Sequence, residues 1–230
     1  MLQQIAPTAA TPTFAKVHPA AHSLSHVHSL ADAFDVHGAS ISFDRNAEIY
    51  GEDEPAEYFY QVAAGAVRTY KLLEDGRRQI GAFYLPGDVF GLEAGELHGF
   101  TAEAISASTL RVARRSGIVA LAARDSAVAA DLWTATSRCL RQAQEHMLLL
   151  GRRNAEERVA TFLLDMARRE CCEEAIELPM SRQDIADYLG LTIETVSRTL
   201  TQLQLKAAIE LPSARRILVR SRASLQRLNA

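Results

Sequence analysis

Counted from Glu194, the side chains of Ser197 and Arg198 follow at three and four residues, the spacing that gathers them on one face of an α-helix. Their chemistry suits the edges of nucleobases. A guanidinium donates two bonds to O6 and N7 of guanine, a carboxylate accepts from N4 of cytosine, and a hydroxyl serves either a base edge or the thymine methyl region. The other side of the stretch repeats Ile193, Val196, Leu200 and Leu203 at helical spacing, an apolar stripe expected to face a core. Ile193, at the first turn, is also assigned to the base-facing set. The competing interpretation is that Glu194 and Arg198 form an ordinary i,i+4 surface pair, worth a few tenths of a kcal/mol.

The preceding residues are those that would aim such a helix. Ser181 is placed to cap a helix with Asp184 three residues on, a capping box; Ile185, Ala186 and Leu189 form its stripe. Gly190 supplies the positive φ that ends it, Leu191 plugs the corner, and Thr192 caps the next helix. Two helices joined by a glycine turn imply a helix-turn-helix, whose second helix enters the major groove of double-stranded DNA. The expected base-reading residues are Glu194, Ser197, Arg198 and Ile193, and the site should contain a G·C pair. Ser181, Arg182, Thr192 and Thr195 are expected at the sugar-phosphate backbone. Beyond Leu205, the runs Ala208–Leu211 and Arg216–Val219 flank Pro212-Ser213-Ala214 and predict a two-stranded wing, with Arg215 and Arg216 in reach of phosphate.

Charge distribution agrees with this placement. The chain has 230 residues and a formal charge of −3, yet residues 152–230 hold 13 Arg or Lys against 11 Asp or Glu. From Thr199 onward six basic residues face one acid, Glu210. An acidic whole with a basic end implies modest non-specific affinity, so specificity must come from a correctly shaped, dimeric reader. The three cysteines, Cys139, Cys171 and Cys172, lack CxxC spacing and no secretory segment is evident, which points to a reducing cytoplasm. No apolar run approaches the ~20 residues that cross a bilayer, so no membrane association is expected. A Gly-rich phosphate loop, a nucleophile elbow and clustered His or carboxylate ligands are all missing, so an enzyme is not expected.

Four parts are expected upstream and through the reader. Residues 1–32, rich in Ala, Thr, Pro and His, resemble a disordered tail; His18, His22, His26 and His28 could meet a metal only if that segment were helical, and no metal is expected. Residues 33–123 carry β-type runs at Ile41–Phe43, Tyr58–Val62, Ala66–Leu72, Gln79–Tyr84, Thr101–Ala107 and Thr109–Ala113. Turns at Ala64-Gly65, Asp75-Gly76 and Pro86-Gly87 separate them, predicting an antiparallel jelly-roll. Residues 124–152 predict one long helix with a heptad seam, Ala129, Trp133, Thr136, Leu140, Ala143, Met147 and Leu150, for a partner copy of the chain. A second stripe, Leu132, Cys139 and His146, would pack on the β domain; a single helix buried in its own monomer is the other interpretation. Residues 153–230 form the reader, opening with an Asn154-x-x-Glu157 capping pattern ahead of Val159, Phe162, Leu163 and Met166, with a hinge at Gly151–Asn154. Cys171 and Cys172 end that helix and are expected to be small packing residues. The fold class is thus α+β: an antiparallel β-roll, a long dimerisation helix and a C-terminal winged helix-turn-helix.

That order of parts resembles the Crp/Fnr superfamily over residues 35–225. The strings that carry the resemblance are Leu85-Pro-Gly-Asp-Val-Phe-Gly91, Glu157-Arg-Val-Ala-Thr-Phe-Leu-Leu164 and the run from Leu178 to Leu200. The Glu-x-x-Ser-Arg reader looks like that of the Fnr branch, which implies a TTGAT-N4-ATCAA-like palindrome bound by a homodimer that recruits RNA polymerase. No cysteine precedes Cys139, so an Fnr-type iron–sulfur cluster cannot form; Phe100 and Thr101 stand where cyclic-nucleotide members carry Arg-Ser. What remains resembles FixK-type regulators, implying a cofactor-free activator of microaerobic and nitrogen-fixation-linked genes. The redox cysteine of some such members is replaced by Ser181. The alternative is a β-roll that senses a small effector or haem, with His98, His146 and the cysteines as its slender support.

Overall fold

The computed structural model of the chain describes residues 29–93, 95–151, 154–169 and 175–228. The expectations for His18, His22, His26, His28, Cys171 and Cys172, and for the middle of the hinge, fall outside them.

Ser29 caps helix α1 (Leu30–His37), accepting from the N–H of Asp32. This helix begins inside the segment expected to be a disordered tail, a correction with a local cause: Leu30, Ala33 and Phe34 repeat at helical spacing and are buried. Eight strands follow: β1 (Gly38–Phe43), β2 (Glu48–Tyr50), β3 (Tyr58–Ala64), β4 (Val67–Leu72), β5 (Arg78–Tyr84), β6 (Val89–Phe90), β7 (Thr101–Ala104) and β8 (Ser108–Arg114). They form two antiparallel four-stranded sheets, β1-β8-β3-β6 and β2-β7-β4-β5. Ile49, Tyr60, Val62, Val67, Phe90 and Leu110 fill the space between, the alternation a two-sheet roll demands. At the β3–β4 turn Gly65 has φ +83°, and a Cβ there would fall 2.3 Å from Ser108 Oγ; only glycine fits.

One long helix lies in the stretch expected to hold one, and a second, short one precedes it at the end of the stretch expected to be β-roll. α2 (Arg115–Ala122) closes the roll, and α3 (Ser126–Gly151) starts afresh because Asp125 Oδ1 accepts from the N–H groups of Ala127 and Val128. α3 runs 26 residues, about 39 Å. No helix among the described residues is long and apolar enough to cross a membrane.

Asn154 Oδ1 accepts from the N–H of Glu156 at the start of α4 (Ala155–Arg169), which buries Val159, Phe162, Leu163 and Met166. Then come β9 (Ala175–Glu177), α5 (Arg182–Leu189), α6 (Ile193–Leu205), β10 (Ile209–Glu210), β11 (Arg216–Val219) and α7 (Arg222–Arg227). The wing is three-stranded, not two: β9 pairs with β11 through Ile176 opposite Ile217, giving the order β10-β11-β9. Three-residue β9 is too short for an alternation to reveal it. One apolar cluster runs from Ile80 and Phe83 of β5 through Leu149 and Phe162 to Ile185, Leu200 and Leu225, so the roll and the reader share a core.

Candidate nucleic-acid interface

Both helices of the turn motif are capped in full. Ser181 Oγ accepts from the N–H of Asp184 while Asp184 Oδ2 accepts from the N–H of Ser181, a closed capping box. Gly190 is left-handed at φ +61°, and Arg158 Nη1 donates to the carbonyls of Leu189 and Gly190, covering the orphan acceptors at the end of α5. Arg158 lies 31 residues from Leu189, so no local pattern could have exposed its role. Thr192 caps α6 by accepting from the N–H of Thr195. Two fixed caps and a glycine corner leave α6 little freedom of direction.

The stripe α6 buries is Val196, Thr199, Leu200 and Leu203. Ile193 is not in it: 37% of its surface is exposed, and it stands at the solvent end beside the polar edge. Its place in the apolar stripe is therefore corrected. Position 193 begins the helix, a full turn short of where α4 covers it, and Thr199 takes the expected core place. Glu194, Ser197 and Arg198 are all exposed on the remaining face. Glu194 is held below the usual carboxylate range by its own backbone N–H, then by the Thr192 hydroxyl and the charge of Arg198. The edge thus presents an ionised acceptor beside a permanent donor.

Around this edge the expected backbone contacts differ in how free they are. Arg182, at the first turn of α5, is half-buried; its Nη1 has no hydrogen-bond partner, and burial lowers its pKa. A guanidinium in that position gains most from an external anion. Ser181 is occupied by its cap, its Oγ donating to Asp184 Oδ2 at 2.7 Å. Thr192 and Thr195 share a hydroxyl contact of 3.1 Å. Arg216 lies on β11 at 3.3 Å from Glu177, both exposed, while Arg215 is exposed at the wing tip.

The long helix divides into two faces. Val128, His146 and Leu149 are buried, and Leu132 and Cys139 half-buried, against the roll; burial pushes the Cys139 thiol up. Opposite them Trp133 (74%), Leu140 (60%) and Met147 (65%) are exposed, as are Thr136 and Ala143. Leu150 departs from this face: it is half-buried, its Cδ2 3.4 Å from the point a Cβ on Gly190 would occupy, so it seats the reader's turn. Beside the exposed face a cleft of about 730 Å³ opens between β5, α3 and α4, lined in part by Phe100, Thr136, Leu140, Ala143, Glu93 and Arg168. Phe100 closes over Gly81, and Thr101 Oγ1 accepts from the N–H of Glu52. His98 is buried with its ring stacked on Tyr50 at 3.5 Å.

Comparison with known proteins places both halves. Residues 157–228 match the family model of a Crp-like helix-turn-helix domain, and residues 40–125 that of a cyclic nucleotide-binding domain. The chain is 53% identical to the nitrogen fixation regulation protein FixK of Azorhizobium caulinodans, over 84% of this chain and 80% of the relative. It is 48% identical to the FixK protein of Rhizobium meliloti, over 74% and 77%. Among solved structures it resembles FixK2 from Bradyrhizobium japonicum at 56% identity and a TM-score of 0.80, covering 84% of this chain and 98% of that one.

Proposed function

The chain belongs to the Crp/Fnr family of transcription regulators, in its FixK-type branch, and we infer from this and from the exposed edge of α6 that it is a DNA-binding activator of anaerobic and nitrogen-fixation genes. Its readers act in pairs. Trp133, Thr136, Leu140, Ala143 and Met147 meet the same residues of a second copy, burying the exposed Trp133, Leu140 and Met147 side chains. Two readers then straddle one DNA turn, about 34 Å, on a TTGAT-N4-ATCAA-like palindrome.

The observation that carries this reading is the exposed Glu194-Ser197-Arg198 edge on a helix capped at Thr192. Arg198 reads guanine, Glu194 accepts from cytosine, Ser197 and Ile193 contact the neighbouring base edges, and Arg182, Ser181, Thr192, Thr195 and Arg216 hold the backbone. RNA polymerase is the partner of the DNA-bound dimer. No cofactor is included in this reading: where the resemblance implies an Arg-Ser pair on a cyclic-nucleotide phosphate the chain has Phe100 and Thr101, and Phe100 lies over Gly81. Titration of a labelled palindromic duplex and a scrambled one, with no effector added, tests the whole reading: two chains per palindrome and clear preference over the scramble are expected. Equal affinity for both duplexes would overturn it.

The cleft beside α3 supports one other reading, an effector held between the roll and the long helix. Native mass spectrometry and an absorption spectrum of the purified protein decide it: a chain carrying a bound small molecule or chromophore favours the sensor, and a colourless ligand-free chain that binds the palindrome removes it.

A further inference from the structure

A carboxylate in the reader's first helix is bonded from both domains at once. Asp184 is 3% exposed. Its Oδ2 serves the α5 cap, and its Oδ1 accepts from Arg68 Nη1 of β4 at 2.9 Å and from Arg78 Nη2 of β5 at 2.6 Å. Arg68, itself 7% exposed, extends its Nη2 to Glu103 of β7 at 2.5 Å. Arg78 donates a further bond to Asp187, one turn along α5, at 2.8 Å. Two guanidinium groups of the roll therefore hold two successive carboxylates of the reader helix. The same helix is held again one turn on, where the Tyr188 ring lies parallel to His146 of α3 at 3.9 Å and its carbonyl meets His146 Nε2 at 2.7 Å.

Burying this many charges contributes little net stability over apolar packing of the same shape, but only one arrangement satisfies them, because a guanidinium fork and a carboxylate have fixed directions. An apolar contact at the same place would tolerate sliding. The capping box at Ser181 is independent of the arginines, so α5 keeps its helix when the arginines are lost and gives up only its seat.

We propose that Arg68 is a positioning residue for DNA recognition. Through Asp184 it fixes the angle of the reader on the β-roll, so that two readers sit at the operator spacing with no effector bound. This rests on the reading of the chain as a dimeric DNA binder. It contacts no DNA itself, so its removal changes where the readers point and not which bases they prefer.

The test measures affinity of the full-length dimer for the palindrome with its native spacer and for the same half-sites with the spacer lengthened or shortened by one base pair. The unaltered protein is expected to lose affinity steeply on either change. Arg68→Met is expected to bind the native palindrome about 5- to 150-fold more weakly, the usual range for coupling between sites, and to lose most of its spacer preference while keeping its preference for the native half-site sequence. Asp184→Asn, which retains an acceptor for the Ser181 cap, is expected to do the same and serves if Arg68→Met does not fold. Combining the two changes should recover part of the loss. A merely structural role would lower the active fraction for every duplex alike and leave the spacer ratio intact, and that result overturns the proposal. Failure of the unaltered protein to prefer the palindrome at all would instead overturn the DNA-binding reading on which it stands.

Discussion

The outer edge of α6 and the cluster at Asp184 are built from the same materials, arginines and carboxylates, and they are put to opposite uses. At Asp184 the carboxylate and the Arg68 guanidinium are buried, and each charged group of the cluster meets one of opposite sign. At Glu194, Ser197 and Arg198 the groups remain in water, aimed by two helix caps. A buried cluster whose charges are committed to one another fixes geometry; an exposed edge adds little to folding and so is free to bind. Position and recognition are separated in this domain by burial alone.

Four changes probe that division, Arg198→Ala as the exposed counterpart of Arg68→Met and the rest in falling order of effect. Arg68→Met leaves Glu103 without its cation and Asp184 with one of its two, and should cost about 3–5 kcal/mol of folding stability, measured by urea unfolding. Arg198→Ala should change the same quantity by no more than about 0.5 kcal/mol. If both lose similar stability, burial does not separate the two groups. Next, Leu140→Asp puts a charge in the apolar face of α3 and should weaken self-association by at least about 2 kcal/mol, read by sedimentation, with the monomer's fold intact. Smaller still, Arg216→Ala should weaken binding to all duplexes alike and lower the slope of log affinity against log salt by about 1, since the proposed function gives Arg216 a backbone contact and it is already shared with Glu177.

A pH effect on folding should appear on the buried side. Burial lowers the His146 pKa, against smaller opposing effects of its contacts with the Tyr188 and Gly81 backbones. The unfolded chain therefore takes up this proton first. Stability contributed by neutral His146 is complete above its unfolded value of about 6.5 and falls as pH drops below it. His146→Gln should flatten the thermal midpoint over that acidic range; an unchanged pH profile would show that His146 does not titrate on unfolding.

The exposed half of this division is largely written in local sequence, and the buried half is not. Ser181, Gly190 and Thr192 announce the turn motif because caps and left-handed glycines act within four residues, and the heptad of α3 is visible because a helix repeats its own face. Arg68 and Arg78 lie 116 and 106 residues from Asp184, and nothing near any of the three signals the meeting. Distance also hid the intramolecular partner of Leu150, which the heptad alone assigned to a second copy. The short elements β2, β6, β9 and α7 escaped because two to six residues carry too little periodicity, and α1 because its apolar triplet sits next to a tail-like composition.

The most direct test exchanges the G·C pair of the half-site for A·T and measures the affinity of the unaltered chain and of Arg198→Ala for both duplexes. The unaltered protein should lose about 1–3 kcal/mol on the exchange, and the variant should bind the two duplexes nearly equally. A variant that still discriminates as strongly as the unaltered protein would contradict the account, because the guanine would then be read by something other than the exposed edge of α6.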